Sequence, residues 1–385
     1  MSYIPTPVLL RFCPMGIDKI YTLLNQNPSH SQLQPIYLAF GQSNFPIWEY
    51  VDLSLHAKEV QNVLGYGDIR GQIELREQIS SFYSSTLDVN IPAARILITD
   101  GATGALALVL KLLVRPGSEV IIPAVGYSAY SRIVRVFGGI PIRAPLDAEF
   151  NLDPHRLPNL ITAKTTAIIV NSPGNPHGNI ASLEMLGEIA SLGIPVIFDE
   201  VYQCMTFTDS VAPSATQLPE EHFVINGFSK SFAVPGLRMG FLIVPSCYVE
   251  VAESLKVLLN ICPNLPGQLL GKRLLERSDA VLDAHRRYLR SSRDIFLAAA
   301  SCYSLPLLNH PLAGFYSIID LPKHIDSMTA ACTLATEYAV ATAPGTDFAE
   351  KDPRFLRVNF AGSPADVKEA MGRIAKYLQN IEGYE

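Results

Sequence analysis

The stretch "AIIVNSPGNPHGN", residues 167–179, sets a buried β-branched run directly against a turn rich in proline and glycine, and the pattern returns at "VIFDEVY", residues 196–202, where a second apolar run ends on two carboxylates. A short run with no polar alternation fits a strand covered on both faces, and such strands belong to parallel sheets flanked by helices. Working outward, the same signature recurs at "ILIT" (96–99), "EVIIP" (119–123), "IPIRA" (140–144), "FVIN" (223–226) and "GFLIV" (240–244). With "AIIVN" (167–171) and "VIFDE" (196–200) these alternate with helical patterns from about residue 95 to residue 245, the signature of parallel βαβ units. The expected fold class is α/β, a large domain with a mainly parallel seven-stranded sheet between helices.

From about residue 248 to residue 300 the periodicity turns helical, with Leu269, Leu270, Leu274, Val281, Tyr288, Leu289 and Phe296 at core-like spacings, and a long helix there would tie two domains together. The segments "FYSIID", "YAVATAP" and "FLRVNFA", followed by the helical "PADVKEAMGRIAKYL", read as a smaller α+β unit. There is no internal repeat and no low-complexity linker.

The 385 residues, 48% hydrophobic and 17% charged, suffice for a large domain with a small one appended. A net charge of −6 without a basic run argues against nucleic acid or an anionic membrane as partner. Cys13, Cys204, Cys247, Cys262, Cys302 and Cys332 form no CxxC pair and the histidines no metal-binding spacing, so free thiols in a reducing compartment and no metal are expected. The start, "MSYIPTPVLLRFCPMG", is broken by prolines and an arginine where a secretory signal is continuous, and no stretch has bilayer-spanning length. The expected location is cytoplasmic.

Open α/β sheets bind ligands at the carboxyl ends of their strands, so the residues that end each run carry the chemistry. Asn175 is presented by the proline-glycine turn, which by itself is also an ordinary loop. Asp199 ends a buried strand and Tyr202 follows one helical turn later; alone, the carboxylate reads equally as a helix cap or half of an ion pair. After "ILITD", "GATGAL" (101–106) opens a helix with small residues, suited to an anion and equally to close packing. "GQLLGKR" (267–273) is one residue short of a phosphate-binding lysine loop and lies in a helical stretch, which rules it out. In "NGFSKSFAVPGLRMG" (226–240) Lys230 stands between two serines, and Arg238 supplies a nearby positive field and a fork of donors. A lysine so placed is a solvated charge or, partly desolvated, a Schiff-base nucleophile.

In this order and spacing the set resembles the fold type I pyridoxal-phosphate (PLP) enzymes, in particular the aspartate aminotransferase-like class I and II aminotransferases, from about Ile36 to the C-terminal helix. The resemblance implies that Lys230 forms the Schiff base with the cofactor and shuttles the proton, and that Asp199 keeps the pyridine nitrogen protonated. Asn175 and Tyr202 would bond the ring oxygen and Tyr127 stack on the ring. Gly101, Ala102 and Thr103 would offer backbone to the phosphate, with Ser229 and Arg238 beside it. Tyr66, in "GYGDIRGQIELREQI", would reach the neighbouring subunit's phosphate, which implies a homodimer with shared active sites. Arg357, in "FLRVNF", would grip the substrate carboxylate, with Gly41 and Asn175 close to it. The implied layout is an N-terminal segment, 1–48, joining a small domain, 286–385, and a large PLP-binding domain, 49–285, so that both chain ends build the small domain.

The implied reaction moves an amino group between an L-amino acid and a 2-oxo acid by ping-pong kinetics. C–S lyases, decarboxylases, cyclases and oxidases share these residues, and a PLP-binding regulator is a further alternative that the joint presence of Lys230 and Arg357 disfavours. Three positions depart from the family's pattern: Gly227 where serine or threonine is common, His177 in place of threonine, and Ala349 in place of glycine. Gly227 removes one expected phosphate contact. No further arginine offers itself to a side-chain carboxylate, while Trp48, Tyr21, Phe315 and Tyr316 read either as core or as the lining of an apolar pocket.

Overall fold

The computed structural model describes residues 15–26, 33–350 and 353–381. Cys13 and the proline-broken start up to residue 14 lie outside the described residues. All seven expected strands are present and form one sheet, in the order Ile96–Asp100, Met239–Ile243, Phe223–Gly227, Val196–Asp199, Thr165–Asn171, Glu119–Pro123, Ile140–Ala144. Two features differ from the expectation of parallel, doubly covered strands. Met239–Ile243 runs antiparallel to both its neighbours. The link from Gly227 holds only a four-residue helix, Phe228–Ser231, and one further turn, Pro235–Leu237, too little chain for a right-handed crossover. Ile140–Ala144 is an edge strand, and Ile140 is half exposed.

Separate apolar clusters cover the two faces of this sheet, one containing Ile98, Ile168 and Phe198, the other Leu97, Ile169 and Ile197, as the alternation of side chains along each strand requires. The helical region after residue 248 is three helices rather than one: Val249–Asn260, Leu265–Glu276 and Ser278–Cys302. The first break falls where Ile261 takes a positive φ of 58° and Pro263 and Pro266 follow. The last helix is 25 residues long and buries side chains at three- and four-residue spacings. Its first half, Val281, Leu282 and Ala284, belongs to a core of the large sheet, while Leu289, Phe296 and Ala299 belong to a third cluster near the C-terminus.

That third cluster is the core of the smaller α+β unit. A three-stranded antiparallel sheet, Ala343–Pro344, Phe355–Asn359 and Tyr316–Asp320, carries the helices Ser327–Glu337 and Pro364–Gln379. The early chain joins it: Ile36–Tyr37 pairs in parallel with Val340–Ala341, and the helix Gly16–Gln26 packs on Ser327–Glu337. The backbone amides of Gly16 and Ile17 both bind the carboxylate of Asp347, at 2.7 and 2.9 Å, which favours the positive end of that helix. The smaller unit is thus built from both ends of the chain.

Candidate active site

Pairing in the large sheet sets three strands side by side: Asn171 and Asp199, the last residues of theirs, are in register, and Asp199 pairs with Ile225, two residues before the end of Phe223–Gly227. They open onto a cleft of about 380 Å³ bounded on its far side by the smaller unit. Asp199 is buried; its Oδ2 accepts from the Tyr130 hydroxyl at 2.7 Å and its Oδ1 from the Val201 amide at 3.4 Å. Burial pushes its pKa up to about 6, against the lowering effect of these bonds and of Lys230. A carboxylate that faces a cleft with acceptor capacity to spare is suited to a cationic N–H donor.

The turn after Thr165–Asn171 is tied by its own first residue. The Asn171 side chain accepts from the Asn175 amide at 2.9 Å and donates to the carbonyls of Pro173 and Asp199. Asn175 is thereby fixed at the cleft, where its Oδ1 accepts from Arg357 at 3.1 Å. Tyr202 stands beneath it, its hydroxyl 3.3 Å from that of Tyr316, and burial raises its pKa well above the usual phenol value. Tyr127 packs edge-on against Tyr130 with ring centroids 5.5 Å apart and lines the same cleft.

Lys230 is aimed by a single helical turn. Phe228 and Ser231 are buried, which turns Ser229 and Lys230 into the cleft. Lys230 Nζ donates to the Gly41 carbonyl and lies 5.8 Å from the centre of the Phe315 ring.

At one end of the cleft the helix Gly101–Leu113 begins. Asp100 precedes it but gives no side-chain cap; its carboxylate accepts from Asn260 Nδ2 at 2.7 Å, which leaves the first-turn amides open. Gly101 has φ +72°, and a Cβ there would stand 2.6 Å from a terminal nitrogen of Arg238. Ala102, Thr103, Ser229 and Arg238 all line this end.

Gly227 explains itself in the same place. It pairs with Gly240 on the antiparallel strand, and a Cβ at Gly227 would meet the Met239 carbonyl at 3.0 Å and Gly240 Cα at 3.1 Å. A Cβ at Gly240 would in turn stand 2.4 Å from the Gly101 carbonyl carbon. The backbone of Met239–Ile243 therefore runs pressed between the lysine turn and the helix start, and a side chain at position 227 fits only if the facing backbone gives by a few tenths of an ångström.

The opposite wall carries Arg357, on Phe355–Asn359. Its guanidinium is sandwiched between the rings of Tyr316, 4.1 Å away, and Phe348, 4.7 Å away. One terminal nitrogen donates to Asn175 and the other to the Ala39 carbonyl, while the buried Nε has no protein partner. Gly41 approaches so closely that a Cβ would overlap the Tyr316 hydroxyl at 1.9 Å.

The structure thus brings Lys230, Asp199, Asn175, Tyr202, Tyr127, Ala102, Thr103, Ser229, Arg238, Arg357 and Gly41 to one cleft, with Gly101 directly behind it. Tyr66 is not among them; it is 85% exposed on the surface. Trp48, 70% exposed, does not line the cleft either, whereas Tyr316 does. Sequence reasoning missed Tyr130 and Asn171. Their signal was faint, a second tyrosine three residues after Tyr127 and a strand-ending asparagine, and only the fold shows what each one holds. The set fits pyridoxal phosphate at three points: open helix amides beside Arg238 for a phosphate, a spare carboxylate acceptor for a ring N–H, and an amine for an aldehyde carbon. Among the described residues no cluster of histidine, cysteine and carboxylate side chains suits a metal ion.

Comparison with known proteins converges on this geometry. Residues 36–374 match the family of class I and II aminotransferases. The putative aminotransferase YugH of Bacillus subtilis is 30% identical over 377 residues, which is 95% of this chain and 96% of that protein. The aspartate aminotransferase of Pyrococcus abyssi is 29% identical over 89% of this chain and 92% of its own length. A mutant aspartate aminotransferase of Thermus thermophilus superposes with a TM-score of 0.88, at 25% identity, over 98% of this chain and all of the other (100%).

Proposed function

The chain belongs to the class I and II aminotransferases, a PLP-dependent family, and from its aminotransferase activity we propose how its own residues run the reaction. The observation that carries the proposal is that Lys230 Nζ, the Asp199 carboxylate and the Arg357 guanidinium face one cleft from three different supports. When bound, the cofactor supplies an aldehyde that condenses with amines and a pyridinium ring that draws electrons from the bonds at the substrate α-carbon. Asp199 holds the proton on that ring nitrogen, and Tyr130 holds Asp199. Asn175 and Tyr202 donate to the ring oxygen, and Tyr127 covers the ring face. The amides of Gly101, Ala102 and Thr103, with Ser229 and Arg238, bind the phosphate. Arg357 grips the substrate carboxylate beside Gly41 and Asn175, which orients the α-hydrogen toward Lys230. Lys230 Nζ would hold the cofactor through its aldehyde and, once a substrate amine has displaced it, would take the proton from the substrate α-carbon and give it back to complete the transfer. One cleft serves both half-reactions, so amino donor and 2-oxo acid acceptor bind in turn.

Among the described residues the cations lining the cleft are Lys230, Arg238 and Arg357, each already engaged, and the entrance is walled by Met15, Ile17 and Phe40. This supports uncharged amino acids as better donors than dicarboxylates. A homodimer with shared sites is supported by the surface around Tyr66: the Gly67 amide donates to Cys262 Sγ at 3.5 Å, and Leu64, Tyr66, Leu258 and Ile261 nearby are exposed. Tyr66 then serves the partner's phosphate site. We place the domain boundaries near residues 48 and 285, where helix Ser278–Cys302 changes core. Among the described residues no helix is long and apolar enough to cross a membrane, and Cys204, Cys247, Cys262, Cys302 and Cys332 are free thiols, which supports the cytoplasm.

The test is to load the purified protein with pyridoxal phosphate, add single amino acids and follow the visible absorbance. Conversion by uncharged amino acids, reversed by a 2-oxo acid, is expected; release of ammonia, sulfide or peroxide in its place would sink the reading.

A further inference from the structure

Lys230 belongs to a closed circuit of contacts that runs outside the residues assigned so far. Its Nζ donates to the Gly41 carbonyl. Two residues further on, Ser43 Oγ lies 2.9 Å from Nε2 of His285, and Nδ1 of the same ring lies 2.9 Å from the carbonyl of Ser231, the residue after Lys230. His285 is 1% exposed and its ring stacks on Phe45, centroids 4.6 Å apart and planes at 21°. The partners dictate where the protons sit. A carbonyl only accepts, so Nδ1 carries the hydrogen, and the lone pair left on Nε2 accepts from the Ser43 hydroxyl. Burial holds the ring's pKa down to about 4, in keeping with this neutral form. His285 sits on Ser278–Cys302 directly after Ala284, so it joins the long helix, the lysine turn and the strap of residues 41–45 at one point.

We propose that His285 is a positioning residue for amino-group transfer, locking the 41–45 strap onto the lysine turn so that the Gly41 carbonyl is held between Lys230 Nζ and the carboxylate site at Arg357. The inference rests on the aminotransferase reading of the cleft. The strap reaches both sides of the cleft: in the cofactor-free protein the Gly41 carbonyl accepts from the Lys230 amine, and Ala39, two residues before Gly41, accepts from Arg357. Freeing the Ser43 arm alone loosens the strap and weakens carboxylate binding. Removing the imidazole's hydrogen bonds loosens the lysine turn as well.

Three variants separate these effects. Ser43→Ala removes only the strap arm, His285→Phe keeps the ring on Phe45 but loses both hydrogen bonds, and His285→Gln restores one donor and one acceptor. Because misplacement of a reacting group by about 1 Å costs up to ~100-fold in rate, His285→Phe should lower kcat by about 10-fold, and His285→Gln should regain at least about half of that loss. Ser43→Ala should raise KM for the amino donor about 5-fold with kcat within about 2-fold. A second readout needs neither cofactor nor turnover: reductive methylation of Lys230 by formaldehyde and cyanoborohydride in the cofactor-free protein, followed by mass spectrometry. Release of the strap should speed it about 3-fold in Ser43→Ala and His285→Phe, with other lysines unchanged. Wild-type kinetics and labelling in His285→Phe, or a His285→Gln no better than His285→Phe, overturns the proposal. Should His285→Phe fail to fold, an unchanged KM and labelling rate in Ser43→Ala overturns it as well. A wild-type protein that transfers no amino group would instead refute the reading of the cleft, and the labelling series still reports on the circuit.

Discussion

The two walls of the cleft are held in different ways. Asp199, Asn175 and Lys230 stand at or just beyond the ends of three neighbouring strands of one sheet, placed by register together with one short turn each. Arg357 faces them from another sheet, and its contact with Ala39 spans 318 residues of chain. The wall that handles the proton is built from local pairing and turns, while the wall that grips the carboxylate joins segments from the two ends of the molecule. Chemistry and substrate choice thus rest on different supports, joined where Arg357 donates to Asn175 and Lys230 to the Gly41 carbonyl.

Replacing Lys230 by alanine strikes the first wall at its centre, and turnover should fall by at least ~10⁴-fold in a single-turnover assay. Normal rates would mean that the proton is carried elsewhere. Arg357→Lys strikes the second. A point charge cannot reproduce the paired bonds to Asn175 and Ala39 or the seat between two rings, so kcat/KM should fall about 100-fold, chiefly through KM. A loss confined to kcat would merge the roles of the two walls.

Asp199→Asn sharpens the comparison through stability. In the cofactor-free protein Asp199 has a pKa of about 6 against 3.8 when unfolded. The folded state holds this proton more tightly, so stability falls as pH rises from about 4 to about 6, and the full cost, on the order of 3 kcal/mol, is present above that. The asparagine variant should therefore melt above the wild type at pH 8, converge with it below pH 4, and bind the cofactor more weakly. The smallest effect is expected at Gly227→Ser. A Cβ here stands 3.0 Å from the Met239 carbonyl, so the side chain is accommodated only by a small backbone shift and cofactor affinity should stay level or fall by a few-fold; a clear gain in equilibrium binding would contradict the packing described.

Much of this was legible in the sequence, for identifiable reasons. Short apolar runs without polar alternation mark the strands, which is why all seven were visible, although Ile140–Ala144 is a half-exposed edge strand. The reversed direction of Met239–Ile243 was not, because a buried antiparallel strand carries the same apolar pattern, and only the short link after Gly227 betrays it. Asp199 and Asn175 were readable as strand-end residues. The importance of Arg357 came from its place in an ordered set, since nothing in "FLRVNF" itself points to a carboxylate. Tyr130 and His285 were hard to read because each acts through a partner distant in sequence, Asp199 for the first and Ser43, 242 residues away, for the second, and Asn171 because its role is to tie a turn that alone reads as an ordinary loop. Gly227 read as a missing phosphate contact, and the structure turns it into a packing requirement.

The helix Ser278–Cys302 has one more consequence. Seated by its first half in one core and by its second half in another, it behaves as a lever with His285 near the fulcrum. At about 1.5 Å per residue the arm from His285 to Cys302 is about 25 Å long, so a bend of about 5° at the fulcrum swings its tip by about 2 Å. That displacement is comparable to the difference between an arginine that reaches a carboxylate and one that does not. A substitution in the middle of this helix therefore bears on both cores at once.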